Sequence, residues 1–242
     1  MKLLIIRHGD PDYANDSLTE TGRIEAELLS KRMQKLDIKA FYVSPLGRAK
    51  DTAAVTLRAM GREAEECKWL REFKGRVVKP GDSKPDIAWD WFPGDWSDDP
   101  VCYDADCWMD SKLFQGSNVA EEYRMIIGEF DKLLASYGYV REGNYYRAER
   151  PNEDTVVFFC HFALECVLLS RLLHVSPMVL WHGAFAAPAS VTTVVTEERR
   201  EGIAAFRMTA FGDTSHLYAY GREPSPSGLF CETFADEDQT QD

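Results

Sequence analysis

Three short apolar runs, each followed by polar residues and then a helical pattern, constrain the fold more than any other feature. The runs are LLII (3–6), FYVS (41–44) and VVFFC (156–160). Such runs are typical of strands buried on both faces of a sheet. Strands that alternate with helices predict a mainly parallel sheet in a three-layer α/β/α sandwich. The stretches 188–198 and 202–212 predict two later strands, an antiparallel pair at an edge of the sheet.

Polar residues at the ends of the first three strands predict one common site. Arg7-His8-Gly9 follows the first run, Arg48 opens the helix after the second, and His161 directly follows the third. The carboxyl ends of parallel strands share one edge of the sheet, where open α/β folds bind ligands. Arginines, imidazoles and helix N-termini at that edge would attract an anion such as phosphate. Each residue alone could instead be structural, with Arg7 paired to a core acid and Arg48 at the surface.

The composition excludes some classes of partner. The 242 residues carry a net charge of −12, which argues against a nucleic-acid or anionic-membrane partner. The apolar stretches are too short, or too interrupted by charge, for a signal peptide or a membrane span. Six cysteines show no C-x-x-C pair, so we expect reduced thiols and a cytoplasmic location.

The pattern along the chain predicts a single catalytic domain over residues 1–221, with an insertion at about 74–117, and a loosely ordered tail over 222–242. The tail is rich in Pro, Ser and acidic residues, a composition typical of weakly held segments. The insertion holds four of the six tryptophans and, between Asp82 and Asp110, nine Asp against one Lys. Its side chains could form an aromatic, acidic lid over the pocket, or a satellite core with solvated aspartates. The sequence leaves both alternatives open.

These motifs resemble those of the histidine phosphatase superfamily, the phosphoglycerate mutase-like family, in its branch 1 form. The similar segments are the R-H-G triplet, LTETG (18–22), SPLGRAKDTA (44–53), FFCH ending at His161, and DTSHL around His216. The resemblance spans most of residues 1–221 and covers the insertion poorly. It implies the phosphoglycerate mutase-like fold.

The resemblance also implies a mechanism. His8 would attack phosphorus and form a phosphohistidine, which water then hydrolyses. Arg7, Arg48 and His161 would bind the phosphate oxygens and balance their charge without a metal or other cofactor. Glu72, in the stretch WLREFKG, would protonate the leaving group, although a glutamate in a loop could equally be a surface residue.

Other polar residues receive lesser roles. Asp10 is the alternative proton donor, and Gly9 would let the backbone turn and approach the phosphate. His216 would support the pocket wall or be structural, and His174 and His182 fall outside the pattern and are interpreted as structural.

The sequence departs from the family in two places. Phe162 follows His161 where the family often has glycine, and the loop after Gly9 is shorter than in many phosphoglycerate mutases. We therefore favour a phosphomonoester hydrolase for a small phosphorylated metabolite, which releases inorganic phosphate. The alternatives are a phosphoglycerate mutase-type phosphotransferase and a non-catalytic phosphate-binding or scaffold protein. An oligomer is possible. The i, i+4 spacing of His161 and Glu165 suits a metal pair, but a metal site is not favoured.

Overall fold

The computed structural model describes residues 1–235, in which strands and helices alternate along the first half of the chain. The strands are β1 (Lys2–Arg7), β2 (Pro11–Asp12), β3 (Ser17–Leu18), β4 (Ala40–Val43), β5 (Glu65–Glu66), β6 (Arg76–Val77), β7 (Asp86–Ile87), β8 (Tyr139–Glu142), β9 (Tyr145–Ala148), β10 (Thr155–Cys160), β11 (Val191–Arg200) and β12 (Ile203–Asp213). The helices are α1 (Glu20–Met33), α2 (Gly47–Met60), α3 (Pro93–Trp96), α4 (Val119–Ser136), α5 (Phe162–Leu173), α6 (Pro177–Gly183) and α7 (Ser215–Tyr218). Short 3-10 helices lie at Lys68–Leu70, Pro100–Tyr103, Trp108–Asp110 and Lys112–Phe114.

The central strands are apolar on both faces because helices cover both. In β1, Leu3 and Ile5 join the core beneath α4, α5 and α6, whereas Leu4 and Ile6 join the core beneath α1 and α2. All four side chains are almost completely buried. This double burial confirms the three-layer α/β/α arrangement that the apolar runs predict.

The large sheet is parallel in the half that carries the strand ends discussed above. Its strand order is β5-β4-β10-β1-β11-β12-β9-β8. The pairs β1–β10, β10–β4 and β4–β5 are parallel, and the remaining pairs with a resolved register are antiparallel. The predicted antiparallel pair, β11 and β12, is present, but its placement at an edge is wrong. β11 pairs with β1 in the interior, and the hairpin β8–β9 continues the sheet beyond β12.

The insertion extends the core. Its elements are the two-stranded ribbon β6–β7, the single-turn helix α3 and three of the 3-10 helices. Three of its tryptophans, Trp91, Trp96 and Trp108, are at most 9% exposed. Trp108 packs edge-on against Trp181 of α6, with ring centroids 5.6 Å apart. Of the two alternatives for these aromatic residues, the structure favours a core contribution.

Helix α1 begins at a capping hydroxyl. The Thr19 Oγ1 atom accepts a hydrogen bond from the Gly22 amide at 3.1 Å, which satisfies a first-turn N–H group. Among residues 1–235, no helix has the length and hydropathy needed to cross a membrane. The division into a domain over 1–221 and a tail over 222–242 stays a prediction, and residues 236–242 lie outside the described part of the chain.

Candidate active site

The parallel register places the two candidate histidines side by side. Arg7 pairs with Cys160 across β1 and β10, so His8 and His161 are the next residues on neighbouring strands. The His8 amide donates to the Cys160 carbonyl at 3.0 Å. The imidazole centroids lie 5.2 Å apart, with the ring planes inclined at 59°. Ser44, at the end of β4, completes the row through its backbone bond to β10.

A backbone carbonyl fixes the tautomer of His8. Its Nδ1 atom lies 2.8 Å from the Gly9 carbonyl oxygen. A carbonyl only accepts hydrogen bonds, so the proton is assigned to Nδ1 and the lone pair to Nε2. Burial and, next, the positive charge of Arg7 lower the pKa of His8 to about 3. The imidazole is therefore neutral, with Nε2 available as a nucleophile at physiological pH.

Gly9 is required by close packing against α1. A Cβ atom at this position would lie 2.8 Å from the Gly22 carbonyl oxygen, which is closer than such atoms can approach. The Gly9 amide donates to Thr52 Oγ1 of α2 at 2.9 Å. The turn after His8 is thus held by both helices on that face of the sheet.

The two candidate arginines differ in their partners. Arg7 is 5% exposed and donates to two carbonyls, those of Ala186 at 2.7 Å and Ser227 at 3.1 Å. No carboxylate among residues 1–235 lies within ion-pair distance of Arg7, so its charge is free to attract an anion. Arg48 pairs with Asp16 at 2.7 Å. Its Nε atom is buried without a partner in the described chain.

His161 is completely buried at the N-terminus of α5. Its Nε2 atom lies 2.7 Å from the Ser44 hydroxyl oxygen. Burial holds its pKa well below the usual range, and the neighbouring His8, Arg48 and Arg7 act in the same direction. A second neutral imidazole therefore stands beside the first.

Glu72 reaches the same site from the loop after the Lys68–Leu70 helix. Its Oε1 atom accepts from the amides of Phe73 and Leu164, each at 3.0 Å. Burial raises the pKa of the carboxyl, against the lowering effect of these bonds and of Arg48 and Arg7. Oε2 remains available to carry a proton.

A segment near the C-terminus, the strap (residues 225–228), lies over Arg7. The Ser225 hydroxyl donates to Asp10 at 2.5 Å, and the Ser225 amide donates to Glu25 at 3.0 Å. Gly228 sits so close to Arg7 that a Cβ atom would lie 3.0 Å from its Nη2 atom. The composition of this segment gave no indication of such a role.

The remaining predicted residues lie around this group. Thr19 and the strap donate to the two carboxylate oxygens of Asp10, which leaves neither oxygen free for proton donation. His216 lies 3.4 Å from Arg32 of α1. Burial and then Arg32 lower its pKa to about 4. These contacts place His216 against Arg32 of α1 and not against Arg7 or Arg48.

Sequence reasoning missed several polar contributors. Ser44 stands inside the quoted motif, and its position at a strand end was the available signal. Asp16, which holds Arg48, and Tyr13, whose ring lies 5.5 Å from the Arg48 guanidinium, come from a short loop with no comparable signal. Within residues 1–235, no group of three or more His, Cys, Asp or Glu side chains is arranged to hold a metal ion.

Known proteins share both the motifs and the fold. Residues 3–105 match the profile of the histidine phosphatase superfamily (branch 1). A probable phosphatase from Schizosaccharomyces pombe is 36% identical over 63 residues, which are 22% of this chain and 30% of that protein. A 2,3-bisphosphoglycerate-dependent phosphoglycerate mutase from Thermoplasma acidophilum is 34% identical over 70 residues, 25% of this chain and 35% of that protein. The chain thus matches about a third of the length of each.

Solved structures agree over most of the chain. A mutant phosphoserine phosphatase from Entamoeba histolytica, in complex with phosphoserine, superposes with a TM-score of 0.56 at 20% identity and covers 89% of this chain and 98% of its own. A mycobacterial glucosyl-3-phosphoglycerate phosphatase in complex with VO3 superposes with a TM-score of 0.55 at 21% identity. The superposition covers 88% of this chain and 99% of that protein's chain. The first part of the chain is thus similar to the histidine phosphatase superfamily (branch 1), and the fold is shared with the solved phosphatases over most of the chain.

Proposed function

We propose that this protein hydrolyses phosphomonoesters of small metabolites through a phosphohistidine on His8, without a metal ion. The observation that carries the proposal is the state of His8. It is neutral, its Nδ1–H group donates to the Gly9 carbonyl, and the charges of Arg7 and Arg48 both act to lower its pKa. A neutral imidazole among cations is suited to attack the phosphorus of an anionic ester.

The first step forms a bond from Nε2 of His8 to phosphorus and breaks the bond from phosphorus to the ester oxygen. Arg7 and Arg48 balance the charge on the non-bridging oxygens, mostly through electrostatics and positioning. His161, neutral and bonded to Ser44, would donate to one of these oxygens. Water then attacks the phosphohistidine, which releases inorganic phosphate and restores the imidazole.

We assign the proton for the leaving alkoxide to Glu72. Its raised pKa favours the protonated form, and its Oε2 atom is the oxygen not engaged by backbone amides. The same carboxylate would then accept a proton from the attacking water. Asp10 is disfavoured because two hydroxyl groups occupy its oxygens.

The relatives' names support phosphoryl transfer without identifying the acceptor, because a phosphatase and a mutase both match. In a mutase the phosphoryl group passes from His8 to another hydroxyl and is retained in the product. In a non-catalytic phosphate-binding protein, His8 is never phosphorylated. The same experiment separates all three.

The test is hydrolysis of p-nitrophenyl phosphate in the presence of EDTA by the wild type and by His8→Ala. We expect turnover that survives chelation and a loss of roughly a thousandfold or more in the variant. The matched control is His174→Asn, which removes a histidine from the αL position at the end of α5 opposite to His161. It should retain wild-type activity.

Four outcomes would contradict the proposal. A requirement for metal, or undiminished activity of His8→Ala, would exclude the phosphohistidine route. Transfer of a labelled phosphoryl group to an added hydroxyl compound in preference to water would show a mutase. Binding of phosphate without turnover on any ester in a panel, and without labelling of His8, would show a binding protein.

A further inference from the structure

Glu165 is a buried carboxyl beside the phosphate site that the proposed mechanism does not use. It lies in the first turn of α5, where its amide donates to the His161 carbonyl at 2.9 Å. The residue is 1% exposed. Neither carboxylate oxygen has a hydrogen-bond partner of good geometry in the described chain, and the Thr192 hydroxyl is the one side-chain donor near enough to lower the pKa of the carboxyl. Buried polar groups without partners are rare in native proteins and call for an explanation.

The groups that face Glu165 come from four neighbouring elements and its own helix. They are Arg7 of β1, Glu72 of the loop before β6, Thr192 of β11, Cys160 of β10 and Cys166 of α5. The Thr192 oxygen accepts from the Gly212 amide at 3.0 Å, so its hydroxyl hydrogen can point toward the carboxyl. Arg7 is the only cation in this set.

Arg7 has a matching unsatisfied atom. Its Nε atom is buried and lacks a partner in the described chain, although its terminal nitrogens bond to Ala186 and Ser227. A donor on Arg7 and two acceptors on Glu165 thus lie unsatisfied in one desolvated region. When Glu165 is ionised, the two groups attract each other strongly in this low-dielectric setting. A phosphate dianion would compete with the carboxylate for the same guanidinium.

We propose that Glu165 is a positioning residue that sets the charge balance of Arg7, so that anion binding at Arg7 is coupled to uptake of a proton by Glu165. The proposal rests on the proposed function in one respect, that the anion binds at Arg7. Protonated Glu165 leaves the positive charge of Arg7 unbalanced, so that it attracts the anion. Ionised Glu165 neutralises Arg7 and repels the anion.

The Glu165 carboxyl gains and loses its proton within a pH range in which anion binding can be measured. Burial raises the pKa of Glu165 to about 8, against the lowering effects of Thr192 and Arg7. The carboxyl is therefore protonated at neutral pH and ionises in mildly alkaline solution. Anion affinity should be constant below this range and fall above it.

The test uses sulfate, a tetrahedral dianion that does not itself titrate between pH 6 and 9. We expect the sulfate Kd of the wild type to be constant up to about pH 7.5 and to rise above pH 8 toward about tenfold per pH unit. In Glu165→Gln the Kd should stay flat across the range. Glu129→Gln, which removes a carboxylate on α4 that pairs with Lys132, is the matched control and should behave as the wild type. Glu72→Gln separates any contribution from the second carboxyl facing Arg7.

A measurement on the wild type alone guards against a variant that fails to fold. Calorimetric titration of sulfate at pH 8 in buffers of different ionisation enthalpy should show net uptake of a fraction of a proton, approaching one as the pH rises. No uptake, or the same pH dependence in Glu165→Gln, would overturn the role of Glu165 while leaving hydrolysis by His8 intact. Failure of the wild type to bind sulfate at any pH would overturn both proposals. Loss of hydrolysis in EDTA alongside proton-linked binding would overturn the proposed function alone.

Discussion

At the residue scale, burial decides the chemistry of His8. A solvated imidazole is half protonated near pH 6.5, and a protonated ring cannot attack phosphorus. In this protein the desolvated ring, its neighbour Arg7 and the Gly9 carbonyl combine to keep Nε2 unprotonated. In the proposed mechanism, the surrounding strand ends thus prepare His8 as the nucleophile before a substrate arrives.

This state predicts an unusual acid limb in the pH–rate profile. We expect kcat/KM for an aryl phosphate to show no inflection from the enzyme near pH 6.5, because the pKa of His8 is lowered to about 3. Below neutrality the profile should follow only the ionisation of the substrate. Steady-state rates from pH 4.5 to 8 check this, after correction for the substrate's independently measured pKa. An enzyme pKa near 6.5 would show that His8 is not held neutral.

The assignment of Glu72 predicts a dependence on the leaving group. In Glu72→Gln, hydrolysis of an alkyl phosphate such as glycerol phosphate should fall about 100- to 1,000-fold, because an alkoxide needs a proton as it leaves. Hydrolysis of p-nitrophenyl phosphate should fall less than about tenfold, because p-nitrophenolate leaves without one. Equal losses on both substrates would indicate that Glu72 is needed for structure or binding instead.

At the scale of elements, the local sequence pattern predicts the strands that carry the site, but it does not predict the strap that covers Arg7. β1, β4 and β10 could be predicted because a continuous apolar run indicates a buried strand. Their parallel register then brings His8, Ser44 and His161 together. The strap depends on contacts across 220 residues, as between Arg7 and Ser227, and no local pattern encodes these. The hairpin β8–β9 was missed for the same reason, since it is stabilised by pairing with the distant β12.

The strap can be tested with two glycines that share a backbone conformation. Gly228 and Gly221 have φ values of +92° and +68°, and only Gly228 contacts Arg7. Replacement by alanine should cost each position about 1 kcal/mol of local stability through strain. We expect only Gly228→Ala to alter the KM for p-nitrophenyl phosphate and to accelerate proteolysis between residues 222 and 235. Identical kinetic effects of the two substitutions would show that the strap contact with Arg7 has no influence on the site.

At the scale of the whole molecule, buried titratable groups predict a stability maximum near pH 6.5. Burial lowers the pKa of His8, His161 and His216. The unfolded chain therefore binds more protons below pH 6.5, and stability falls as the pH drops. Burial raises the pKa of Glu165 from 4.5 to about 8, so the folded protein binds one extra proton between these values. This proton opposes the effect of the three histidines below pH 6.5, and above pH 6.5 it makes stability fall as the pH rises.

Urea unfolding at pH 5, 6.5 and 8 measures both limbs. The alkaline limb should amount to about 2 kcal/mol between pH 6.5 and 8, from a single group at 1.36 kcal/mol per pH unit. Glu165→Gln should flatten that limb and steepen the acid limb, because ionisation of Glu165 in the unfolded chain opposes the effect of the histidines between pH 5 and 6.5. A wild-type protein that is equally stable at pH 6.5 and 8 would show that Glu165 ionises in the folded state much as it does in water.

The covered position of Arg7 has a consequence for the speed of turnover. Arg7 and His8 are 5% and 2% exposed, and the strap backbone occupies one of the Arg7 nitrogens. Under the proposed function, a substrate would have to pass these backbone contacts to come within reach of His8, and the product would have to leave past them. When chemistry is fast, the frequency with which these contacts open sets the upper bound on kcat. The rate with a highly reactive ester should then depend on solvent viscosity, and the identity of the leaving group should cease to matter.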